Sequence, residues 1–306
     1  MLTATTNYKP QTLNAIVIGA DIGGSHITAA QVDLTAKQLI PASLKRLPVD
    51  SLAPTADVIH TWANAIKEAA QQTPFTQICL AIPGPFDYEK GICLIQDQEK
   101  YPMLYGLNVK ELLATELNIA AEAIYLNNDA ACFLQGEVFC GSLRGYEKAI
   151  GVTLGTGLGS AIFENGQARS ADRWNMPLLK GMAEDYLSSR WFVKKYSAIT
   201  GHSISGVREL TALAPANDWV NSLFDEFGHN LAAFVTRFIA ETKSKAVVIG
   251  GNIAQAYPLF KNNLLAGVHS RFPEVLIAPS VLGEPAALIG AAGFRSPVQE
   301  IVQKDK

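Results

Sequence analysis

Apolar side chains along the chain repeat with two periods, which predicts a succession of strands and helices. Residues 15–34 contain two apolar runs around a polar glycine turn, the pattern of a β-hairpin. Residues 53–72 have apolar positions at helical spacing, which predicts an amphipathic helix. The short apolar run before Pro83-Gly84-Pro85 predicts a buried strand. Further elements follow from the same patterns: a second hairpin at 149–167, strands at 123–130, 245–250 and 275–280, and helices at 108–117, 131–141, 183–197, 217–242, 252–257 and 286–294.

The pattern of strand, glycine turn and strand at 15–34 recurs at 149–167. This recurrence indicates an internal repeat of one supersecondary unit. Strands and helices alternate in both halves, so we predict an α/β chain with two sheets. No low-complexity segment separates the halves, and we expect them to pack across a central cleft. The polar segment 200–210 is predicted to be loop and turn.

Composition and charge restrict the class of protein. The chain has 306 residues, of which 48% are hydrophobic and 17% charged, enough for a large core. The net charge of -3 and the lack of a long basic run argue against nucleic-acid binding. No apolar run reaches the roughly 18 residues of a membrane helix, and the polar N-terminus is unlike a secretory signal. The four cysteines match no paired zinc motif, and we interpret them as free thiols of a cytoplasmic protein.

Three glycine turns follow apolar strands and are candidates for phosphate binding. Glycine leaves backbone N–H groups accessible to an anion, whereas a Cβ would block the approach. Any one of these turns alone is compatible with an ordinary hairpin turn, but three together favour a nucleotide-binding site. The sequence contains no GxxxxGK(S/T), so a P-loop is absent. The GxGxG run continues into a strand and not into a helix, so it is no dinucleotide fingerprint. The turns are Gly23-Gly24-Ser25, Gly155-Thr156-Gly157-Leu158-Gly159 and Gly250-Gly251-Asn252.

Two aspartates lie where phosphoryl transfer needs acidic groups. Asp21 directly precedes the first turn, where it could hold a magnesium ion directly or through water. Asp129 follows a predicted strand, the position at which α/β sheets present catalytic groups. The alternative for Asp129 is the N-cap of the next helix, and both roles are compatible. Phosphoryl transfer requires a cation and a group that takes the proton of the acceptor, and this pair suits that chemistry.

Six motifs in order along the chain resemble the ROK group of sugar kinases, which belongs to the sugar kinase, actin and heat-shock chaperone ATPase superfamily. Together they cover nearly the whole chain, and the ordered set is more specific than any single motif. The motifs are DIGGSH (21–26), IPGP (82–85), NND (127–129), LGTGLGS (154–160), VIGGN (248–252) and GEPAALIGAA (283–292).

The resemblance implies the two-domain actin-like ATPase (ribonuclease H-like) fold with a central cleft. We expect residues 1–129 to form the N-terminal α/β domain and residues 130–285 the C-terminal α/β domain. A C-terminal helix at 286–300 is expected to pack back on the first domain.

The resemblance also implies a role for each motif. Asp129 would be the general base that takes the proton from a sugar hydroxyl as this hydroxyl attacks the γ-phosphate of ATP. Asp21 would organise magnesium. Glu184 would bind the sugar near its anomeric end, although it could instead be a solvated acid in the first turn of a helix. The full implied sets are Pro83, Gly84, Asn128, Asp129 and Glu184 for the sugar, Gly23, Gly24, Ser25, Gly155, Thr156, Gly157 and Gly159 for the ATP phosphates, and Gly250, Gly251 and Asn252 for adenosine.

One segment departs from the family pattern. Many members carry a GExGH sequence and a cysteine-rich zinc motif where this chain reads NGQARSADRWNMPLLKGMAE, which has neither Cys nor His. We therefore expect no structural zinc, and the usual sugar-contacting histidine is missing. Asp172 or Trp174 occupies that region, so the identity of the sugar stays open.

The resemblance implies an ATP-dependent hexose kinase, a glucokinase by default, that phosphorylates the 6-hydroxyl of glucose and forms a homodimer. Fructose, mannose, an N-acetylated aminosugar or a glycoside are alternative acceptors, and polyphosphate is an alternative donor. A sugar-binding protein without turnover is a further alternative, motivated by the missing histidine. A sugar-sensing repressor is disfavoured, because about a dozen residues before the first strand are too few for a helix-turn-helix.

Overall fold

In a computed structural model of the protein, the described residues are 16–73, 75, 77–96 and 100–295, so the predicted parts at 1–15 and 296–300 lie outside them. The strands are β1 Ile16–Ile22, β2 His26–Asp33, β3 Gln38–Leu39, β4 Lys45–Pro48, β5 Ile78–Ile82, β6 Phe86–Asp87, β7 Ile92–Cys93, β8 Ile124–Asn128, β9 Ala149–Leu154, β10 Leu158–Glu164, β11 Gln167–Ser170, β12 Pro177–Leu178, β13 Gly181–Met182, β14 Ala246–Gly250 and β15 Leu276–Pro279. The α-helices are α1 Thr55–Ala70, α2 Val109–Leu117, α3 Asp129–Phe139, α4 Ala183–Tyr186, α5 Ser189–Thr200, α6 Val207–Leu213, α7 Asp218–Thr242, α8 Tyr257–His269 and α9 Pro285–Gly293.

The first sheet has the strand order β3-β2-β1-β5-β8, with β4 paired to β2. The hairpin of β1 and β2 is antiparallel, whereas β1, β5 and β8 run parallel. Asp21 pairs in register with Ala81, and Ile82 pairs with Asn128. Three chain segments therefore leave the carboxyl edge of this sheet side by side, and two of them end in the predicted aspartates.

The second sheet repeats this arrangement with the order β11-β10-β9-β14-β15. Again an antiparallel hairpin is followed by two parallel strands, here β14 and β15. Gly250 pairs in register with Thr153, and Ile249 pairs with Pro279. The second and third glycine turns thus leave one edge together, and the predicted internal repeat is confirmed as a shared topology.

Helices α3 and α9 lie between the two sheets. Helix α9 packs on β1 and β5 of the first sheet, whereas α3 packs on β9, β10 and β11 of the second. The two helices cross with almost no side chain between them. A Cβ added to Gly136 would lie 2.2 Å from the carbonyl oxygen of Ala286, and one on Gly290 would lie 1.7 Å from that of Cys132. Only glycine allows this approach of backbone to backbone.

The outer face of each sheet is covered by amphipathic helices, as their sequence spacing predicts. In α1, Val58, Trp62 and Ile66 lie on one face and are buried against the first sheet together with residues of α2. Burial of such side chains stabilises the fold by about 1.5–3 kcal/mol each. Helices α5 to α8 cover the second sheet, where aromatic side chains of α7 such as Phe227 fill the core. Asn217 caps α7 through bonds from the N–H groups of Trp219 and Val220.

Local structure differs from the sequence prediction at three places. Within the predicted loop 200–210, α6 begins at Val207, because Val207 and Leu210 form a buried apolar pair three residues apart. The predicted helix at 183–197 is divided into α4 and α5. The predicted helix after Gly251 begins as a 3₁₀ turn at Asn252–Ala256, and α8 follows with a proline in its first turn.

Candidate active site

A cavity of about 380 Å³ opens where the carboxyl edges of the two sheets face each other. Its volume lies within the range of small-molecule sites. Of the predicted site residues, it brings together Asp21, Asp129, Gly250, Gly251 and Asn252. Its other lining residues are His26, Thr28, Ala130, Phe133, Thr153, Ala254, Gln255, Pro279, Ser280, Gly283, Glu284 and Ala287. The other predicted residues lie outside this lining set.

Asp129 is the first residue of α3 and faces the cavity from the end of the first sheet. The N-cap of this helix is Asn128 and not Asp129, since the Asn128 Oδ1 accepts a hydrogen bond from the N–H of Ala131 at 3.2 Å. The Asp129 Oδ1 accepts from the N–H of Ala130 at 2.8 Å. Burial raises the pKa of Asp129, whereas this bond and the charge of Lys100 lower it. The net result is a carboxylate that binds a proton more readily than an exposed aspartate does.

Asp21 lies near the end of β1 and contributes a second acid to the same cavity. Burial raises its pKa to about 7, and the charges of Asp129 and Glu284 act in the same direction, against the opposing charge of Arg46. Arg46 is itself held by Glu284 in an ion pair of 2.7 Å. Acidic groups that oppose each other's ionisation fit a site for a divalent cation, which would remove their repulsion.

The first glycine turn is closed by a hydrogen bond from the N–H of Gly23 to the carbonyl oxygen of His26 at 2.9 Å. The hydroxyl of Tyr101 donates to the carbonyl oxygen of Gly23. The Ser25 hydroxyl oxygen and the His26 ring nitrogen Nδ1 lie 3.1 Å apart. Burial and the charge of Arg46 lower the pKa of His26, against the opposing charge of Glu284, which disfavours a positive charge on this ring.

The second and third glycine turns are packed against each other. Gly251 has a φ of 82°, and a Cβ there would lie 2.4 Å from the carbonyl oxygen of Leu154, directly before the second turn. A Cβ on Gly250 would lie 2.3 Å from the Phe133 ring. A Cβ on Gly159 would lie 2.1 Å from the Thr153 hydroxyl oxygen. The glycines here are required for the close packing that brings both turns to α3 and Asp129.

The predicted sugar-binding segment lies beside Asn128. A Cβ on Gly84 would stand 2.8 Å from the hydroxyl of Tyr88 and 3.9 Å from the Asn128 Nδ2. This Nδ2 donates to the Tyr88 hydroxyl at 3.2 Å, which in turn lies 3.3 Å from the carbonyl oxygen of Ile82. Burial raises the pKa of Tyr88, and the charge of Asp172 contributes to this rise and so acts on the same group. Trp174 is 44% exposed in a 3₁₀ turn at Arg173–Asn175.

Glu184 lies in the first turn of α4 and contacts the second glycine turn. Its Oε2 accepts a hydrogen bond from the N–H of Leu158 at 2.9 Å. Its Oε1 accepts from Arg190 at 2.5 Å. The alternative is right that Glu184 lies in the first turn of a helix, but its carboxylate is bonded to Leu158 and Arg190 and not only solvated. A sugar contact stays a prediction. In this arrangement the side chain fixes the backbone of the second glycine turn.

The sequence alone does not reveal several residues of this site. Ser280 ends the last predicted strand and Glu284 lies in the motif at 283–292, so the rule that ligands bind at carboxyl ends of parallel strands could have found them. Tyr88 lies shortly after the IPGP sequence but belongs to no motif itself. Lys100 and Tyr101 give no signal in the sequence, because their role depends on a contact with a turn that is distant along the chain.

Two negative findings apply only to residues 16–73, 75, 77–96 and 100–295. None of the helices found there has the length and apolar character that a bilayer crossing requires. No group of three or more His, Cys, Asp or Glu side chains there could hold a metal ion by itself. A magnesium ion at Asp21 would therefore take its remaining ligands from phosphate oxygens or water, as magnesium does in phosphoryl-transfer sites.

Comparison with known proteins identifies relatives of this chain. The sequence profile of the ROK family matches residues 17–173. The glucokinase of Thermotoga maritima is 28% identical over 152 residues, which are 49% of this chain and 45% of that protein. The N-acetylgalactosamine kinase AgaK of Shewanella sp. is 26% identical over 262 residues, 78% of this chain and 82% of that protein.

A solved structure has the same architecture. The crystal structure of a ROK family glucokinase from Streptomyces griseus in complex with glucose and AMPPNP matches with a TM-score of 0.73 and 20% sequence identity. The match covers 91% of this chain and 98% of that one. Paired sheets with facing carboxyl edges define a protein of the two-domain actin-like ATPase class. Within that class, the chain belongs to the ROK family.

Proposed function

We propose that this protein transfers the γ-phosphate of ATP to a hydroxyl group of a hexose, with glucose as the first candidate and its 6-hydroxyl as the acceptor. The observation that carries the proposal is Asp129, a carboxylate with a raised pKa at the start of α3 in the cavity between the sheets. The named relatives are sugar kinases, which supports the reaction class.

In the proposed reaction, Asp129 accepts the proton of the sugar hydroxyl. The hydroxyl oxygen forms a bond to the γ-phosphorus while the bond from this phosphorus to the β,γ-bridging oxygen breaks, and ADP leaves. Burial raises the pKa of Asp129 and so makes it a stronger base than an exposed aspartate. Asn128 fixes the carboxylate by capping α3 and is proposed to bind the sugar with its amide.

We assign the donor to the opposite side of the cavity. Gly250, Gly251 and Asn252 line it and would hold the adenosine, which favours ATP over polyphosphate as donor. The turns at 23–25 and 155–159 would bind the phosphates through backbone N–H groups. Asp21 would hold a magnesium ion. When bound, this ion would neutralise part of the negative charge of the phosphates. Closure of the domains 1–129 and 130–285 on the sugar would exclude water.

The acceptor sugar has an alternative that the relatives support. AgaK is named as an N-acetylgalactosamine kinase, so an N-acetylated aminosugar is the second candidate. Fructose, mannose and glycosides complete the set. A sugar-binding protein without turnover is the alternative outside the enzymes. We propose that the enzyme is located in the cytoplasm and that it forms a homodimer.

The test is coupled ADP release with ATP and magnesium across a panel of free sugars. We expect turnover with one hexose or aminosugar, and a loss of about 10²–10⁴ in kcat for Asp129→Asn. Asp57→Asn removes an exposed acid from the first turn of α1 and serves as the matched control. Near-wild-type turnover of Asp129→Asn would contradict the assignment of the base. Sugar binding by calorimetry without turnover would favour the binding-protein alternative.

A further inference from the structure

Lys100 lies over the first glycine turn, close to the proposed base. Its Cε, Cδ and Cγ atoms lie 3.0, 3.2 and 3.3 Å from the point at which a Cβ on Gly24 would stand. The carbon chain of the lysine thus packs on the space that Gly24 leaves open. The positive charge of Lys100 acts on Asp129, where it opposes the effect of burial. One cationic side chain therefore contacts the proposed phosphate turn and influences the proposed base.

The next residue fixes this lysine to the same turn. Tyr101 is 1% exposed, and its hydroxyl donates to the carbonyl oxygen of Gly23. Its backbone N–H donates to the carbonyl oxygen of Ser51 at 3.0 Å. Its ring packs edge-on against Trp62, with centroids 5.1 Å apart. Since Tyr101 is held by the core and by the turn at once, the backbone of Lys100 has a defined position beside Gly24.

Apart from Lys100, the groups around the cavity supply little free positive charge. Asp21, Asp129 and Glu284 all contribute carboxyl groups, and Arg46 is engaged with Glu284 in an ion pair at the exposed side. The lowered pKa of His26 disfavours a positive charge on its ring. A nucleoside triphosphate would add further negative charge to a cavity that already holds more acidic than basic groups. A cation beside the phosphate turn offsets that charge where a glycine backbone alone supplies only N–H dipoles.

We infer that Lys100 contacts the γ-phosphate of the donor and stabilises its charge during transfer, and that Tyr101 is the positioning residue that holds Lys100 at the turn. The inference rests on the proposed function. As the bond between the γ-phosphorus and the bridging oxygen breaks, negative charge spreads over the γ-phosphate oxygens and the departing oxygen. The ammonium group of Lys100 donates hydrogen bonds to these oxygens. The proton of the sugar hydroxyl goes to Asp129, so Lys100 stays charged throughout.

The first experiment compares the binding of AMPPNP and ADP, with magnesium, by calorimetry. A contact with the γ-phosphate affects AMPPNP and spares ADP, so Lys100→Met should lower the AMPPNP affinity about 10–100-fold and the ADP affinity less than about 3-fold. Lys100→Arg should recover much of the AMPPNP affinity. Lys67→Met, which removes an exposed lysine of α1, is the control for the loss of one charge.

The second measurement is turnover with the sugar found for the wild-type enzyme. Lys100→Met should lower kcat by about 10²–10³, because a group that stabilises transition-state charge is lost. Tyr101→Phe should reduce the preference for AMPPNP over ADP, a ratio that a merely structural tyrosine would leave unchanged. Equal losses for the two nucleotides in Lys100→Met, or no loss, overturn the role of Lys100 alone. If the wild-type protein binds neither nucleotide, the ATP donor of the proposed function fails, and the role of Lys100 fails with it.

Discussion

Ser280 donates a hydrogen bond to the carboxylate of Glu137 at 2.5 Å, although the two residues are 143 positions apart. Glu137 lies in α3 and is fully buried. Its carboxylate also accepts hydrogen bonds from the N–H groups of Ser142 and Leu282. Ser280 lines the cavity, so this buried acid connects the helix of the proposed base to the loop beside the proposed adenosine site.

Removal of the Glu137 carboxylate should therefore destabilise the fold and loosen this loop. We expect Glu137→Ala to lower the free energy of unfolding by about 2–5 kcal/mol, because three donors lose their acceptor in a buried place. Urea unfolding of the two proteins measures the difference. Glu137→Gln should recover part of it, and Glu122→Ala, at an exposed position, should change little. A loss no larger than that of the exposed control would contradict the structural role of Glu137.

Asp21 should lower the stability of the ligand-free protein as pH rises. Its pKa in the folded state is about 7, above its ordinary value of 3.8, so the folded state resists ionisation that the unfolded state allows. The stability from this group is complete below pH 3.8 and is lost as pH rises through 7. Asp21→Asn should then raise the unfolding free energy by a few kcal/mol at pH 8 and by less at pH 5, because each tenfold difference in proton affinity between the two states corresponds to about 1.4 kcal/mol.

Urea unfolding in EDTA at both pH values measures this effect of Asp21. The exposed Asp57→Asn is the control, and it should show no such dependence on pH. An equal gain at pH 5 and pH 8 would mean that Asp21 ionises normally. With magnesium and AMPPNP, the wild-type protein should become more stable than Asp21→Asn, since only the wild-type protein keeps the proposed metal ligand.

The glycine at 251 should be required for its size as well as its conformation. Gly251 and Gly145 both have positive φ, of 82° and 86°, but only Gly251 of this pair faces a backbone atom at the Cβ position. Gly145→Ala therefore reports backbone strain alone, about 1–2 kcal/mol. Gly251→Ala should cost more and should also reduce AMPPNP affinity, because the turn must move away from Leu154. Similar losses for the two variants, with unchanged nucleotide binding, would speak against the packing argument.

Tyr88 should influence sugar binding through Asn128. Its hydroxyl accepts a hydrogen bond from the Asn128 amide and thereby orients a proposed sugar ligand. We expect Tyr88→Phe to raise KM for the sugar about 2–10-fold with little change in kcat, the size of one neutral hydrogen bond. Steady-state kinetics measure the two constants separately. Tyr105→Phe, at a tyrosine that is 50% exposed, is the control, and a change in kcat alone would assign Tyr88 a different role.

Much of the fold could be predicted from the sequence, because its signals are local. The spacing of apolar residues is set by which side chains face the core. This spacing is visible in the sequence for the hairpins at 15–34 and 149–167 and for α1 and α7. The position of Asp129 at a strand end follows from the geometry of parallel sheets. The domain division at residue 129 and the roles of the site residues stay predictions.

The rest depends on contacts between distant segments, which no local pattern encodes. Lys100 lies beside Gly24, and Ser280 bonds to Glu137, although each pair is far apart along the chain. Glu184 resembles a surface acid in the sequence, because no local pattern reveals that the N–H of Leu158 points at it. The helix at Val207 is hidden in a polar segment, since only the burial of its two apolar positions decides the local structure.

The contact between α3 and α9 determines how the two sheets can move. Gly136 and Gly290 let the backbones of the helices touch, each helix being packed mainly on a different sheet. A shear that slides one helix along the other would drive carbonyl oxygens into Cα atoms and is opposed by hard repulsion. Rotation about the crossing point requires no such overlap. We therefore expect the cavity to narrow through a change of angle at this crossing and not through sliding of the two helices.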